Sequence, residues 1–168
     1  MAVRAREFKS GALCEVVDYQ FNEDWAASLE ISTPGVGCGS GSYNSHGFVM
    51  VWNGSAFSQY VTFPSNPVNY TAPGARQQRQ AETAPEETRT NQNGDTVGSA
   101  EGLSDAELPD LVSAVGTGGT AGYVRATDIA YTPANPEQAL ADAASRGPRT
   151  VPLFAEDGST EIGSFQIS

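Results

Sequence analysis

Apolar and polar positions alternate with a two-residue period through much of the first seventy residues. In Ala12–Phe21, Leu13, Glu15, Val17 and Tyr19 share one side, while Cys14, Val16, Asp18 and Gln20 share the other. Apolar residues fall on both sides, which predicts a strand with an imperfect period. From Trp25 to Ile31 the alternation is cleaner: Trp25, Ala27, Leu29 and Ile31 lie opposite Ala26, Ser28 and Glu30. That pattern predicts a second, half-exposed strand. Phe48–Trp52 and Ala56–Phe63 flank Asn53-Gly54, the preferred dipeptide of a two-residue type I′ turn, and predict a hairpin. Pro64 and Pro67 then end the ladder, because proline has no N–H to donate. The intervening STPGVGCGSGSYNSHG reads as a flexible glycine loop; no Gly-Lys-Ser/Thr follows that would make it a phosphate loop.

Beyond residue 107 the periods are mixed. Leu108, Leu111, Val112 and Val115 recur at helical spacing and predict a short helix ending at Gly116. Gly122–Ile129 reads as a strand. Asn135-Pro136-Glu137 is a helix start, with Asn as cap, Pro in the first turn and an acid beside the dipole; the helix runs to Gly147. Two apolar runs about Asp157-Gly158 predict a closing hairpin. The expected fold is mainly β (α+β), built of antiparallel β hairpins with two short helices in the C-terminal half.

Composition divides the chain. Of 168 residues, 9 are basic and 20 acidic, for a net charge of −11. Residues 71–110 hold three basic and eight acidic side chains and no aromatic. Such a stretch buries too little apolar surface to offset backbone ordering of about 1–2 kcal/mol per residue. Within it, roughly residues 71–100 read as an acidic Pro/Gln/Glu-rich linker, or as an arm that orders only against the rest of the protein. An N-terminal antiparallel β lobe (1–70) precedes it and a small β-rich lobe follows. The charge excludes nucleic acid and anionic membrane surfaces as partners, since nothing could neutralise a row of phosphates. No run approaches the ~20 apolar residues of a spanning helix, so membrane insertion is not expected. MAVRAREFKS lacks the apolar core of a signal peptide, so the chain as given is read as carrying none.

Candidate chemistry is limited by one histidine and two cysteines. Cys14 and Cys38 suggest one disulfide of an oxidising compartment, the alternative being one buried and one exposed thiol. His46 is the single imidazole, so any Ser-His-Asp or Cys-His arrangement must use it; otherwise it is an ordinary loop or strand-edge residue. The common zinc ligand sets cannot be assembled. Twenty acids leave a carboxylate pair for glycosidic cleavage open, without a spacing that singles one out. Asn91-x-Asn93-x-Asp95 begins like a calcium loop but has Thr96 and Gly102 at the sixth and twelfth positions, which leaves Asp95 as a weak metal candidate beside a plain Asx-turn reading. Gly116-Thr-Gly-Gly-Thr-Ala121 fits a dinucleotide fingerprint in letters only, and a glycine turn is the better reading; no cofactor is expected. The aromatics Tyr43, Trp52, Phe57, Tyr60, Phe63 and Tyr70 are either core and cross-strand pairs or the lining of a peptide or glycan groove; Tyr43, Trp52, Phe57 and Tyr60 are the ligand-surface candidates.

The segments TNQNGDTVGS (90–99), PDLVSAVGTGGTAGYVRATDI (109–129), NPEQALAD (135–142) and RTVPLFAEDGSTEIGSFQI (149–167) together resemble a C-terminal module of uncharacterised, mostly secreted bacterial proteins. The sequence departs from that module at Val97, where the module has an aromatic. The resemblance implies an extracytoplasmic setting, no particular activity, and a C-terminal lobe that starts near residue 90, shortening the linker to 71–89. Gly122-Tyr123-Val124 is also loosely similar to the Gly-Trp/Tyr-Val strand of bacterial SH3-like wall-binding domains. The leading expectation is a non-catalytic, extracellular or envelope-associated module that binds a protein or cell-wall ligand. The alternatives are a small secreted hydrolase using His46 or a carboxylate pair, and a protease inhibitor presenting loop 34–46. Oligomeric state is not fixed by the sequence.

Overall fold

Strand β1 (Ala2–Lys9) turns Ala2, Arg4, Arg6 and Phe8 into the protein and Val3, Ala5, Glu7 and Lys9 outward. It forms a hairpin with β2 (Ala12–Phe21), the strand expected there, through Ser10-Gly11. Both turn residues have positive φ, 50° and 85°, the requirement of a type I′ turn. The structure, a computed structural model, describes residues 1–33, 35, 37–73 and 87–168. Most of the linker read at 71–89 lies outside the described residues, as do Pro34 and Val36 of the glycine loop.

Strand β3 (Gly41–Trp52) pairs with the whole of β1 through Tyr43–Met50. Its other edge is taken by β4 (Phe57–Val61) and, further down, by β5 (Val68–Tyr70). The β3–β4 hairpin stands where the sequence places it, but the turn differs. Asn53 does not adopt positive φ; only Gly54 does, at 103°. A four-residue loop is held instead by the Asn53 side chain, whose Oδ1 accepts from the amides of Ser55 and Ala56, each at 3.0 Å. A local side-chain acceptor has outcompeted the tight turn.

After the glycine loop and the undescribed stretch come β6 (Arg89–Thr90), β7 (Thr96–Gly98), β8 (Leu111–Val115), β9 (Ala121–Arg125), α1 (Ala126–Ile129), α2 (Pro136–Ser145), β10 (Arg149–Phe154) and β11 (Glu161–Ile167). β8, β9, β10 and β11 pair antiparallel in succession. β2 then closes the ring, parallel to β11 at Val16–Ile167 and parallel to β8 at Leu13–Ala114. The result is a closed five-stranded barrel whose fifth strand also belongs to the N-terminal sheet. This explains the double-sided apolar pattern of β2. Leu13 and Val16 enter the barrel core with Val112, Val124, Leu153, Phe165 and Ile167, whereas Tyr19 and Phe21 pack with Phe48, Met50 and Tyr131 beneath the sheet.

Three expectations are corrected. Leu108–Val115 is not a helix: Leu111–Val115 is strand β8, and Leu111, Val112, Ser113 and Ala114 are all buried. A strand covered on both faces shows no two-residue alternation, and its apolar run matches helical spacing by accident. Strand β9 stops at Arg125, and the chain turns through α1 rather than running extended to Ile129. Residues 25–31 form no strand, and Trp25 is 89% exposed. The adjacent β2 pairs with β1 along one edge and with β11 and β8 at Val16 and Leu13, and residues 25–31 enter no ladder. Helix α2 starts where expected but ends at Ser145 rather than running to Gly147, and β10 and β11 pair about a loop of residues 155–160 that contains Asp157-Gly158. Asn135 Oδ1 caps α2 by accepting from the Gln138 amide at 2.8 Å.

The Gly116–Ala121 stretch is the β8–β9 turn, closed by the Gly116 amide on the Thr120 carbonyl at 2.8 Å. Cys14 and Cys38 form a disulfide with Cα atoms 6.1 Å apart, tying the glycine loop to β2. No helix among the described residues is long and apolar enough to cross a membrane.

Candidate functional site

Beside β5 the outward face of the N-terminal sheet is hollowed into a groove of about 480 Å3, bordered by Glu7, Tyr43, Ser45, Ser65, Val68 and Tyr70. Strand register brings these residues together. Glu7 stands opposite Ser45 across β1–β3, Tyr43 opposite Val68 and Gly41 opposite Tyr70 across β3–β5. Tyr43 and Tyr70 are therefore diagonal neighbours, with ring centroids 6.3 Å apart and planes at 77°. The Ser65 amide donates to the Ser45 carbonyl at 2.9 Å and the Ser45 amide to Ser65 Oγ at 3.0 Å, which pins the chain between β4 and β5 against β3.

Glu7 is the charged group of the groove. Its Oε2 is buried and has no hydrogen-bond partner among the described residues, and burial pushes its carboxyl above the usual range. The nearby cation is directed elsewhere. Lys9 lies across Gly41, where an added Cβ would sit 2.7 Å from Lys9 Cε, and its Nζ donates to the Cys38 carbonyl at 2.6 Å. Glycine at position 41 thus lets the lysine stem pass toward the disulfide loop. Burial first, then the charge of Glu7 and the neighbouring Tyr70, pushes the Tyr43 phenol up, and its hydroxyl donates to the Gly39 carbonyl.

The ligand-surface candidates divide between the two faces of the sheet. Tyr60 pairs with Val49 and so shares the face of Tyr43, but six positions along β3 separate them, about 20 Å. Trp52 and Phe57 are on the opposite face, 5.1 Å apart, with Phe57 against Phe21. Only Tyr43 of the four joins the groove, and its partner there is Tyr70.

His46 is a strand residue, 4% exposed, its ring perpendicular to that of Phe8 with centroids 5.7 Å apart. Its Nδ1 lies 3.1 Å from the Thr62 carbonyl, an acceptor only, which places the ring proton on Nδ1. Nε2 has no hydrogen-bond partner among the described residues and faces Glu101 Oε1 at 4.0 Å, an oxygen that accepts from Asn44. Both cysteines are in the disulfide. Residues 41–46 of the loop considered for protease inhibition belong to β3. Asp95 is engaged locally: Asn91 Nδ2 donates to its Oδ2 at 3.1 Å, and Asn91 Oδ1 accepts from its amide at 2.9 Å. Among the described residues no group of three or more His, Cys, Asp or Glu is placed to hold a metal ion.

A larger open cleft of about 970 Å3 lies between β2 and α2. Of its lining polar groups, Asp18 binds Arg149 and the Tyr19 hydroxyl accepts from Gln59, while Gln20, Glu23, Glu30 and Ser32 also line it. Glu7 was not visible as a site residue in the sequence, because its position depends on which face of β1 turns outward. Compared with protein-family models, with curated proteins and with solved structures, the chain matches none.

Proposed function

We propose that this protein is a non-catalytic binding module, secreted or held at the cell envelope, that takes a protein or cell-wall ligand in the groove between β1, β3 and β5. The observation that carries the reading is the pairing of Tyr43 with Tyr70, two amphipathic rings beside a buried carboxylate oxygen that lacks a partner. Rings of this kind offer large contact area at low entropic cost, and a few convergent polar groups set orientation. The Cys14–Cys38 disulfide supports an oxidising compartment, and the resemblance of the C-terminal segments to a mostly secreted module supports the same setting. The hydrolase alternative has less support, because His46 is buried and its ring is oriented by a backbone carbonyl.

Co-sedimentation with purified cell-wall polymer and with envelope proteins tests the proposal. The wild-type protein is expected to sediment, and Tyr70→Ala is expected to lose most of that binding. Tyr70 is 47% exposed, so its truncation leaves the core intact. Equal retention of wild type and variant would remove the groove from the reading.

A further inference from the structure

Resting on that reading, we propose that the group recognised in the groove is a primary ammonium, presented by a lysine side chain of an extended peptide. The first observation is electrostatic. Glu7 Oε2 is buried without a hydrogen-bond partner among the described residues, while the adjacent Lys9 is committed to the Cys38 carbonyl. A buried acceptor lacking a donor is an unfavourable state that an incoming N–H group relieves. The second is geometric. The rings of Tyr43 and Tyr70 meet at 77° with centroids 6.3 Å apart, forming two walls of a partial cage beside that carboxylate. Aromatic faces attract cations, and cages of this kind suit ammonium groups. The Ser45 hydroxyl borders the same groove and can accept an N–H donor, whereas Ser65 Oγ already accepts from the Ser45 amide at 3.0 Å and from Ser45 Oγ at 3.4 Å.

An ammonium fits this set better than a guanidinium. A guanidinium fork needs both carboxylate oxygens open to it, whereas Glu7 Oε2 is buried. The ammonium is a compact charge whose donors the Glu7 carboxylate and the Ser45 hydroxyl can accept beside the two ring faces. A peptide is favoured over an amino sugar by the sheet edge. β5 pairs with β3 on one side only, among the described residues, and its three residues are exposed. An extended chain laid along that edge can hydrogen-bond to β5 while one side chain drops between the tyrosines. The net charge of −11 favours encounter with a basic segment.

The test is calorimetric titration of the full chain with three probes. These are the Nα-acetylated, C-amidated pentapeptide Gly-Thr-Lys-Thr-Gly, the same peptide acetylated on the lysine Nε, and a glucosamine trimer. The free-lysine peptide is expected to bind, with at least tenfold weakening on Nε-acetylation and a similar loss in Glu7→Gln. Glu7→Gln keeps side-chain volume and is checked for folding by its melting temperature. Equal binding of the two peptides, or undiminished binding by Glu7→Gln, overturns the ammonium assignment. Tighter binding of the glucosamine trimer overturns the peptide assignment. Glu7→Gln is also carried through the wall and envelope sedimentation. Tyr70-dependent sedimentation that is indifferent to Glu7 would leave the groove reading standing and sink this inference alone; loss of every binding signal in the wild type sinks both.

Discussion

Arg4 Nη1 lies 3.1 Å from Asp105 Oδ2, with the two side chains 0% and 4% exposed. The contact joins β1 to the loop ahead of β8, and Arg6 donates to the other oxygen of the same carboxylate. Two guanidiniums therefore share one acid in the interior. The remaining positive charge is spread over backbone carbonyls and rings: Arg4 donates to the Ile129 carbonyl and lies 5.2 Å from the Tyr19 centroid, and Arg6 lies 4.3 Å from that of Phe48. Burial, and then the charge of Arg4, lowers the Arg6 pKa to about 10. Asp105 also accepts from the Tyr131 amide at 3.0 Å, and its own amide donates to Gln59 at 2.7 Å. The cluster is the polar joint between the N-terminal sheet and the barrel.

Removing its one anion strands two buried cations. Asp105→Asn is expected to destabilise the fold by about 3–5 kcal/mol, read as a lower urea midpoint. Glu156→Gln, which breaks the exposed pair with Arg89, is expected to change stability by about 0–1 kcal/mol. Comparable effects from the two variants would contradict the joint.

The Cys14–Cys38 bridge spans a sequence separation of 24. A loop of that size stabilises by about 3.5 kcal/mol in the chain-entropy model. Cys14→Ser combined with Cys38→Ser is expected to lower the denaturation midpoint accordingly while leaving the far-ultraviolet spectrum β-rich. A negligible shift would mean that the glycine loop contributes little to the folded state.

The Tyr131 phenol is pushed up from 10.0 to about 12, first by burial and then by its hydrogen bond to Asp142 at 2.8 Å. A raised pKa means that the folded state holds the proton more tightly than the unfolded chain. Its stabilising contribution is complete below pH 10 and is lost as pH rises through 12. Melting temperatures between pH 9 and 12 should fall more steeply for wild type than for Tyr131→Phe. Parallel curves would contradict this assignment.

Gly122 in β9 and Gly147 in the loop between α2 and β10 differ sharply in what a methyl group would meet. At Gly122 an added Cβ would lie 2.8 Å from the Phe154 carbonyl oxygen and 2.8 Å from Leu153 Cγ, whereas at Gly147 nothing lies within 4 Å. Gly122→Ala is expected to cost about 1–3 kcal/mol because β9 must move away from β10. Gly147→Ala is the control, with an expected melting temperature close to that of wild type.

Local chemistry was readable without the fold. The Asn135 cap with Pro136 marks α2, Asp157-Gly158 marks the last hairpin, and two cysteines in a chain of this composition suggest their bridge, because each signal acts within a few residues or by simple counting. The face assignments were not readable. β1 alternates as strictly as any strand, yet its inward side carries Arg4 and Arg6, and only the distant Asp105 makes that phase tolerable. β8 shows no strand period because neighbours cover both of its faces.

The sequence by itself determined that the chain is acidic, mainly β and able to staple itself once. Tertiary structure decided which alternating strand turns its charges inward, that β2 serves sheet and barrel together, and that Tyr70 meets Tyr43 beside Glu7. Period and composition constrain a residue's neighbours along the chain. A groove or a buried ion cluster depends on which strand edges pair, and that is settled by long-range packing in which either face of a strand remains a candidate until its partner arrives.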